Sequence, residues 1–315
     1  MKKDGFYPQE ILFSPTLECN LNCPHCDIQK QPGTLDIKSA IAFLRRCARS
    51  GIERVGFTGG EPFLTLDFLV AVTREALHNN MLFGRITTNG VWFKNKSLLI
   101  KALKRLYAAG YDGDIMVSVD AFHAQDLRKV ATFIRVVSAL WSRPQMVTIA
   151  AVRGAREADT LARLKRLAFF LRARLYNVNG RPALIKNKDI FIRIAAIDLS
   201  SVGKAVCLKN PWGSKWFKDD FCKGPGNIFF VMPDGKVAPC CGYANDHNEL
   251  AIGTIKDSPK ILIRNARTNR FVAAVFTSGL HAIRKKLENS GIKFPGKTTD
   301  HCFFCRYLLD LGQYR

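Results

Sequence analysis

The sequence predicts an α/β fold: a partial (β/α)6 TIM barrel followed by a smaller α+β domain. Short β-like runs alternate with helical patterns over the first two-thirds of the 315 residues, which is typical of parallel βα units. Polar or glycine-rich segments follow these strands, at the end where such a barrel collects its active groups. The alternation stops near Ala205, and six of the ten cysteines lie beyond that residue. We therefore expect two domains, residues 1–204 and 205–315.

The βα units can be placed in chain order. Strands are predicted at residues 10–16, 54–58, 83–88, 115–119, 146–152 and 190–197, and helices at 37–49, 67–78, 96–109 and 125–141. Apolar residues at helical spacing from Leu161 to Leu175 predict a basic fifth helix. Asn179-Gly180 between apolar flanks predicts a β-hairpin over residues 175–185. Six units are two short of a closed barrel, so one side should stay open to a substrate.

The sequence carries no signal for secretion or for a membrane. No apolar segment follows Met1-Lys2-Lys3, so no signal peptide is predicted. No apolar run reaches the length of about 18 residues that a transmembrane helix needs. The cysteines are therefore expected to serve metal chemistry in a reducing compartment. We predict a cytoplasmic protein.

The charge is strongly positive and unevenly spread. The net charge is +22, from 48 Lys and Arg and 26 Asp and Glu. Residues 160–188 contain eight basic residues and no acidic one. Such a field attracts a polyanion or an acidic peptide, so the composition favours an anionic partner over a solvated surface without one.

Three cysteines, Cys19, Cys23 and Cys26, follow the first predicted strand in a C-x3-C-x2-C pattern. A loop this short can direct three thiolates to three corners of one iron–sulfur cluster and leaves the fourth iron without a protein ligand. An iron with an open position can bind a substrate. A zinc site is the alternative, although zinc is usually held by four ligands in paired C-x2-C form.

Gly59-Gly60-Glu61-Pro62 follows the second strand, and its glycines let backbone groups approach a ligand closely. Together with the cysteine loop, this motif resembles the signature of radical S-adenosylmethionine (SAM) enzymes. The resemblance implies a [4Fe–4S] cluster on Cys19, Cys23 and Cys26, whose unique iron chelates the methionyl amine and carboxylate of SAM. It also implies that Gly59-Gly60-Glu61-Pro62 holds the methionyl amine.

The same resemblance assigns other residues to SAM. His25 would lie beside the adenine, and Asn89 and Ser118, at strand ends, would contact the ribose or the carboxylate. Arg153 could pair with that carboxylate. Gly203, in the loop after the sixth strand, is a further candidate binding residue. For each of these residues a purely structural role is the alternative.

The C-terminal cysteines flank recognisable elements. Cys222 and Cys240 flank a predicted β-hairpin with its turn at Asp234-Gly235, which would bring both to one end. Helical stretches follow at residues 259–288, and Cys302 and Cys305 open a final helix. This arrangement resembles a twitch domain, the one-cluster relative of the SPASM extension of radical SAM enzymes. One auxiliary [4Fe–4S] cluster on Cys222, Cys240, Cys302 and Cys305 fits the count; Cys207 could replace one ligand, and a structural zinc site is the alternative.

That assignment leaves Cys241 beside a cluster ligand, where its S–H bond could give a hydrogen atom to a carbon radical. In this feature the chain is similar to radical SAM peptide epimerases, which convert L- to D-residues in ribosomally made peptides. The matching segments are residues 57–61, 89–92, 118–124 and 202–205 and the C-terminal cysteines. The resemblance implies that Cys241 is the hydrogen donor and that Asp120 and His123 face a peptide substrate. An electron donor such as flavodoxin or ferredoxin is also implied.

Other functions fit parts of the pattern. A radical SAM enzyme that forms thioether or carbon–carbon crosslinks in peptides would use both clusters but would not need a donor thiol. Inversion of a carbinol carbon in a sugar is a further alternative. A nucleic-acid-binding protein with a structural metal site would suit the +22 charge, but the sequence contains no recognisable nucleic-acid module. Cys47, among apolar residues of the first helix, is expected to be buried.

Overall fold

One sheet of 11 strands runs through the protein. The computed structural model describes residues 5–154, 156–218, 227–242, 245 and 247–312. The strands are β1 (Glu10–Phe13), β2 (Arg54–Phe57), β3 (Leu82–Thr88), β4 (Asp114–Ser118), β5 (Val147–Arg153), β6 (Arg174–Val178), β7 (Arg181–Lys186), β8 (Phe191–Asp198), β9 (Ile228–Val231), β10 (Lys236–Ala238) and β11 (Gly253–Thr254). Their order in the sheet is β11-β10-β9-β1-β2-β3-β4-β5-β8-β7-β6.

Five helices alternate with the barrel strands and four follow them in the described part of the chain. They are α1 (Ile37–Arg49), α2 (Leu66–His78), α3 (Lys96–Ala108), α4 (Leu127–Trp141), α5 (Glu157–Leu171), α6 (Pro259–Thr268), α7 (Arg270–Thr277), α8 (Gly279–Asn289) and α9 (His301–Asp310). Side chains that accept hydrogen bonds from first-turn N–H groups fix several starts, such as Asp36 at α1, Asn95 at α3 and Asp300 at α9.

The partial-barrel prediction is confirmed. Strands β1 to β5 and β8 pair in parallel, each to its neighbour in the sheet, and helices connect consecutive strands. The sheet is not closed: its outer strands in the described residues are β11 and β6. The carboxyl ends of the parallel strands therefore share one edge, where the polar segments predicted from the sequence gather.

The predicted ends of the first strand and of the fifth helix were wrong, and each error has a physical cause. The first strand ends at Phe13, because the chain after it leaves the sheet and hydrogen-bonds the loop that follows β2. The fifth helix ends at Leu171, because Arg172 adopts a left-handed conformation that terminates it. Leu175 therefore lies on β6, in the hairpin that Asn179-Gly180 predicted.

The C-terminal strands extend the barrel sheet. β9 pairs in parallel with β1, and the predicted turn at Asp234-Gly235 joins β9 to the antiparallel β10. Phe229 of β9 is fully buried, and its ring centroid lies 5.9 Å from that of Phe6 and 6.0 Å from that of Phe43. One hydrophobic core thus includes residues from both sides of the predicted 204/205 boundary. That boundary remains a prediction.

No helix in the described residues combines the length and the apolar character needed to cross a membrane. Cys47 is fully buried on α1, as predicted, and burial raises the pKa of its thiol.

Replacing Phe229 by alanine tests whether the C-terminal strands fold with the barrel. Removing the buried ring leaves a cavity in the shared core and should cost about 3–5 kcal/mol of the free energy of unfolding. Urea denaturation should show one transition at a lower midpoint. Phe169→Ala, at a side chain that is 75% exposed, is the control and should change little. A variant in which only a separate, partial transition moves would contradict the shared core.

Candidate active site

The cysteine loop lies at the carboxyl end of β1. Cys19, Cys23 and Cys26 are half-buried thiols, and the amide of Cys26 donates to the carbonyl of Cys23 over 3.3 Å. Burial, and then the neighbouring Cys26 and Cys19, raise the pKa of Cys23 to about 12. Three thiols presented by one loop are the kind of donor set that an iron–sulfur cluster takes.

The Gly59-Gly60-Glu61-Pro62 loop packs directly against the start of the cysteine loop. The amide of Gly60 donates to the carbonyl of Thr16 over 2.9 Å, and the amide of Glu61 donates to that of Glu18 over 2.8 Å. A Cβ on Gly60 would lie 2.0 Å from the Glu18 carbonyl oxygen. Gly59 has a φ of +119°, and a Cβ there would lie 2.6 Å from the Thr16 carbonyl oxygen. Only glycine permits this close approach of two backbones.

Glu61 links this loop to the end of β3. Its carboxylate is fully buried and accepts hydrogen bonds from the Phe63 amide at 3.1 Å, the Thr88 hydroxyl at 2.8 Å and the Asn89 amide at 2.8 Å. Burial raises the pKa of Glu61 to about 7, although these three donors pull it down. Pro62 begins the short 3-10 turn Pro62–Thr65 that leads into α2.

Asn89 continues the link to the cysteine loop. Its side-chain NH2 group donates to the side-chain oxygen Oδ1 of Asn20 at 2.8 Å and approaches the Cys19 sulfur at 3.7 Å. Its own side-chain oxygen Oδ1 accepts the Val91 amide at 2.8 Å. The predicted cofactor residue therefore supports the loop and contacts one of the cysteine sulfurs.

Gly203 and Lys204 close the cysteine loop from the other side. Gly203 has a φ of +56°, and a Cβ there would lie 2.4 Å from the Cα of Asp27. The Lys204 amide donates to the Cys26 carbonyl at 3.1 Å, and its ammonium group donates to the Asn22 side chain at 2.7 Å. Gly203 is among the predicted site residues and Lys204 is not; the signal for Lys204 is a cation next to that glycine within the matching segment 202–205.

Asp120, His123 and His25 meet at the carboxyl end of β4. Asp120 is fully buried, and both of its carboxylate oxygens lie 2.9 Å from His123 Nδ1. Its burial raises the pKa, but the hydrogen bonds and charge of His123 outweigh this, so the pKa of Asp120 is lowered. The His25 ring centroid lies 4.7 Å from that of His123. Burial, and then the neighbouring His123, lower the pKa of His25 to about 4.

These three side chains offer ligand atoms within 4.8 Å of one another. The Asp120 carboxylate also accepts backbone amides from Phe122 at 2.9 Å and His123 at 3.0 Å, which fixes the loop after β4. The structure thus brings together two predicted substrate residues and the residue predicted to lie beside adenine.

Ser118 and Arg153 are placed differently. Ser118 ends β4, and its backbone carbonyl accepts a hydrogen bond from the Gln125 side chain. Arg153 ends β5 and forms an ion pair with Asp198 at 2.7 Å. The guanidinium predicted to meet a carboxylate therefore has a carboxylate partner on the neighbouring strand β8.

Two of the C-terminal cysteines, Cys240 and Cys302, have their sulfur atoms near Gly242. A Cβ on Gly242 would lie 3.3 Å from the Cys240 sulfur and 3.7 Å from the Cys302 sulfur. Cys302 and Cys305 lie one turn apart in α9, whose capping Asp300 accepts the Ser200 hydroxyl at 2.7 Å and so ties this helix to the end of β8. Cys222 lies outside the described residues. Cys207 is exposed, and Cys241 is half-buried beside Cys240.

Residues 13–141 match the model of the Radical SAM superfamily. This segment, which contains the cysteine loop and the loops after β2, β3 and β4, is therefore a radical SAM domain. Such a domain implies a [4Fe–4S] cluster and SAM, and Cys19, Cys23 and Cys26, three half-buried thiols in one loop, are of the residue type that holds such a cluster.

Two relatives are similar to part of this chain. A GTP 3′,8-cyclase of Synechococcus sp. (strain CC9605) is 34% identical over 132 residues, which cover 38% of this chain and 36% of that protein. One of Lactiplantibacillus plantarum is 26% identical over 166 residues and 48% of each chain. The chain therefore spans between about a third and a half of the length of these relatives.

Solved structures extend the likeness to nearly the whole chain. The structure of anSMEcpe with bound AdoMet and Cp18Cys peptide has a TM-score of 0.56 and 15% sequence identity, and covers 96% of this chain and 95% of that one. SuiB of Streptococcus suis has a TM-score of 0.54 and 15% identity, and covers 94% of this chain and 77% of that one. At this identity the likeness shows a shared fold.

Gly60→Ala tests the contact between the two loops. Because the added methyl group would meet backbone atoms of Glu18, the cysteine loop must shift and its three thiols should no longer converge. We expect the anaerobically reconstituted variant to lose about four irons per chain. Gly213→Ala is the control, since the nearest atom to a Cβ there is 3.9 Å away. Equal iron content in both variants would contradict the role of Gly60.

Glu61→Gln tests the buried carboxyl through the pH dependence of stability. The pKa of Glu61 is raised from 4.5 to about 7 in the folded protein, so between these values the folded chain binds more protons than the unfolded chain. The contribution of this group to stability therefore falls as pH rises through that window, and glutamine cannot titrate. From pH 5 to pH 8 the wild type should lose about 2–3 kcal/mol relative to the variant.

Urea denaturation at both pH values measures this difference. Glu53→Gln removes an exposed carboxyl next to β2 and is the matched control. If Glu61→Gln and Glu53→Gln depend on pH in the same way, the raised pKa of Glu61 is wrong.

Proposed function

We propose that this protein is a radical SAM peptide epimerase that inverts L-residues to D-residues in a ribosomally made peptide, with Cys241 as hydrogen-atom donor. The observation that carries the proposal is the Cys240-Cys241 pair next to Gly242, where a Cβ would lie 3.3 Å from the Cys240 sulfur and 3.7 Å from the Cys302 sulfur. One cysteine of the pair would serve as a cluster ligand, and its neighbour would supply the hydrogen atom.

The cofactors would be held by residues of both parts of the chain. When bound, the reduced [4Fe–4S] cluster and SAM supply a 5′-deoxyadenosyl radical that can remove a hydrogen atom from a Cα carbon. Cys19, Cys23 and Cys26 would hold that cluster, and Gly59-Gly60-Glu61-Pro62 would meet the methionyl amine. Cys222, Cys240, Cys302 and Cys305 would hold an auxiliary [4Fe–4S] cluster.

His123 is suited to orient the peptide. With Nδ1 of His123 held by Asp120, a neutral His123 ring would present Nε2 as an acceptor. A peptide amide N–H next to the reacting residue would donate to Nε2. His25, with its low pKa, would present a neutral ring beside His123, on which the adenine could rest.

Each inversion would use one thiol hydrogen atom and two electrons, one to cleave SAM and one to restore the thiol. The substrate Cα–H bond breaks, its hydrogen atom is carried off by the nucleoside, and the carbon radical becomes planar. The S–H bond of Cys241 then breaks and a new C–H bond forms on the opposite face, which leaves a thiyl radical. One electron and one proton restore the thiol, and the electron would come from an external donor such as flavodoxin or ferredoxin.

Two comparisons support a peptide substrate over a nucleotide. The anSMEcpe structure, which shares the fold over nearly the whole chain, contains a bound peptide. The GTP 3′,8-cyclase match covers only 38% of this chain. The C-terminal cysteines on which the proposal rests lie outside the radical SAM domain at residues 13–141.

Cys241→Ala tests the proposal. Without the thiol, the carbon radical has no hydrogen donor, so the variant should still form 5′-deoxyadenosine but should produce less than about 1% of the wild-type D-residue. With a short ribosomally made peptide as the substrate tested, chiral amino-acid analysis after hydrolysis measures the product. Cys47→Ala removes a thiol buried in the core on α1 and is the control.

In D2O the wild type should place deuterium at the inverted carbon, because the thiol proton exchanges with solvent. Unchanged D-residue formation by Cys241→Ala would remove Cys241 as donor. A crosslinked product without inversion, formed equally by wild type and variant, would assign the protein to the peptide-crosslinking class instead.

A further inference from the structure

We propose that a basic cavity between α4 and α5 binds acidic side chains of the peptide substrate and so guides the peptide to the active site; this inference rests on the proposed function. The cavity has a volume of about 340 Å³. Its polar and aromatic lining comes from the start of α4 and from one face of α5: Gln125, Asp126, Arg128, Arg163, Arg166 and Phe170.

The arginines of this cavity are held in place. The guanidinium carbons of Arg128 and Arg166 lie 5.3 Å and 5.6 Å from the ring centroid of Phe170. Cation–π contact orders a planar guanidinium group without using its N–H donors, so these donors stay available for carboxylates. Both arginines are exposed and can be reached from solvent.

Arg163 of α5 lines the cavity and contacts the start of α4. It donates to the carbonyl and side-chain oxygens of Gln125 at 2.6 Å and 3.1 Å. Its Nε atom is buried and has no hydrogen-bond partner among the described residues. Burial lowers the pKa of Arg163, the Asp120 carboxylate opposes this, and Arg166 and Arg156 lower the pKa further. A bound carboxylate would accept a hydrogen bond from the Nε–H group of Arg163.

The charge balance favours an anion. Three arginines line the cavity against one acid, Asp126, whose carboxylate accepts the Arg128 amide at 2.8 Å as the cap of α4. Arg163 and Arg166 belong to the segment 160–188, which contains eight basic residues and no acidic one. An extended acidic segment of a peptide would therefore find further cations on β6 and β7.

An acidic peptide suits the site better than a nucleic acid. Single-stranded nucleic acids bind through bases stacked on open aromatic faces. The Phe170 ring is already covered by guanidinium groups, whereas those groups match the planar carboxylates of Asp and Glu.

The cavity is coupled to the active site through one segment. Gln125, which contacts Arg163, donates its side chain to the Ser118 carbonyl at the end of β4. The segment between these two residues carries Asp120 and His123. A peptide with its acidic side chains in the cavity would thus have neighbouring residues within reach of His123.

Fluorescence anisotropy of a labelled oligoglutamate peptide tests the site. The anaerobically reconstituted protein should bind it, and Arg163→Gln with Arg166→Gln should weaken binding at least about tenfold. Lys101→Gln with Lys104→Gln removes the same charge from exposed positions on α3, outside the cavity and outside residues 160–188, and should change binding less than about threefold. If the first pair fails to fold, Arg166→Gln alone against Lys101→Gln decides.

Equal weakening by the two double variants would show attraction by net charge only and would overturn the inference. Tighter binding of labelled oligothymidylate, with the same dependence on the arginines, would also overturn it in favour of a nucleic acid. The readout needs no turnover, so a protein that binds oligoglutamate through these arginines but makes no D-residues refutes only the proposed function. D-residue formation with a peptide KM unchanged by the arginine variants refutes only the cavity.

Discussion

The Glu61 carboxylate, buried without solvent contact, is the interaction on which the site depends. It holds the end of β3 through Thr88 and Asn89, and Asn89 in turn holds the cysteine loop. A buried carboxylate is tolerated only when donors satisfy it, so these three segments must take one mutual arrangement. Gly60, pressed against the Glu18 carbonyl, brings the cysteine loop into that arrangement. Backbone hydrogen bonds between the loops and the buried Glu61 carboxylate thus hold the site together.

Much of this arrangement could be predicted from the sequence, because the motifs follow strands. The carboxyl ends of parallel strands meet at one edge, so the cysteine loop, Gly59–Pro62, Asn89 and Asp120 had to lie near one another. The i,i+3 spacing of Asp120 and His123 also allowed a local contact. The role of Glu61 could not be predicted, because nothing local indicates that its carboxylate turns inward to donors on β3.

The other features that the sequence did not predict depend on contacts between distant parts of the chain or on one backbone angle. The pairing of β9 with β1 joins residues more than two hundred positions apart, and no local pattern specifies such a register. The end of α5 depends on Arg172 adopting a left-handed conformation, for which glycine or asparagine would have been the usual signal. The Arg153–Asp198 pair likewise required knowing that β5 and β8 are neighbours.

The C-terminal strands and helices are joined to the partial barrel. A sheet that continues from β1 into β9 and β10 shares its core with the barrel, and α9 is tied to the end of β8 through Asp300. These contacts hold Cys302 and Cys305 of α9 in a defined position next to the end of β8.

The central claim is that Cys19, Cys23 and Cys26 hold a cluster whose fourth iron is open to SAM. Electron paramagnetic resonance of the anaerobically reconstituted, dithionite-reduced protein, recorded with and without SAM, tests it most directly. We predict a reduced-cluster signal that changes when SAM is added and disappears in Cys23→Ala, together with release of 5′-deoxyadenosine. A spectrum indifferent to SAM, with zinc bound at these cysteines and the SAM recovered intact, would contradict the account.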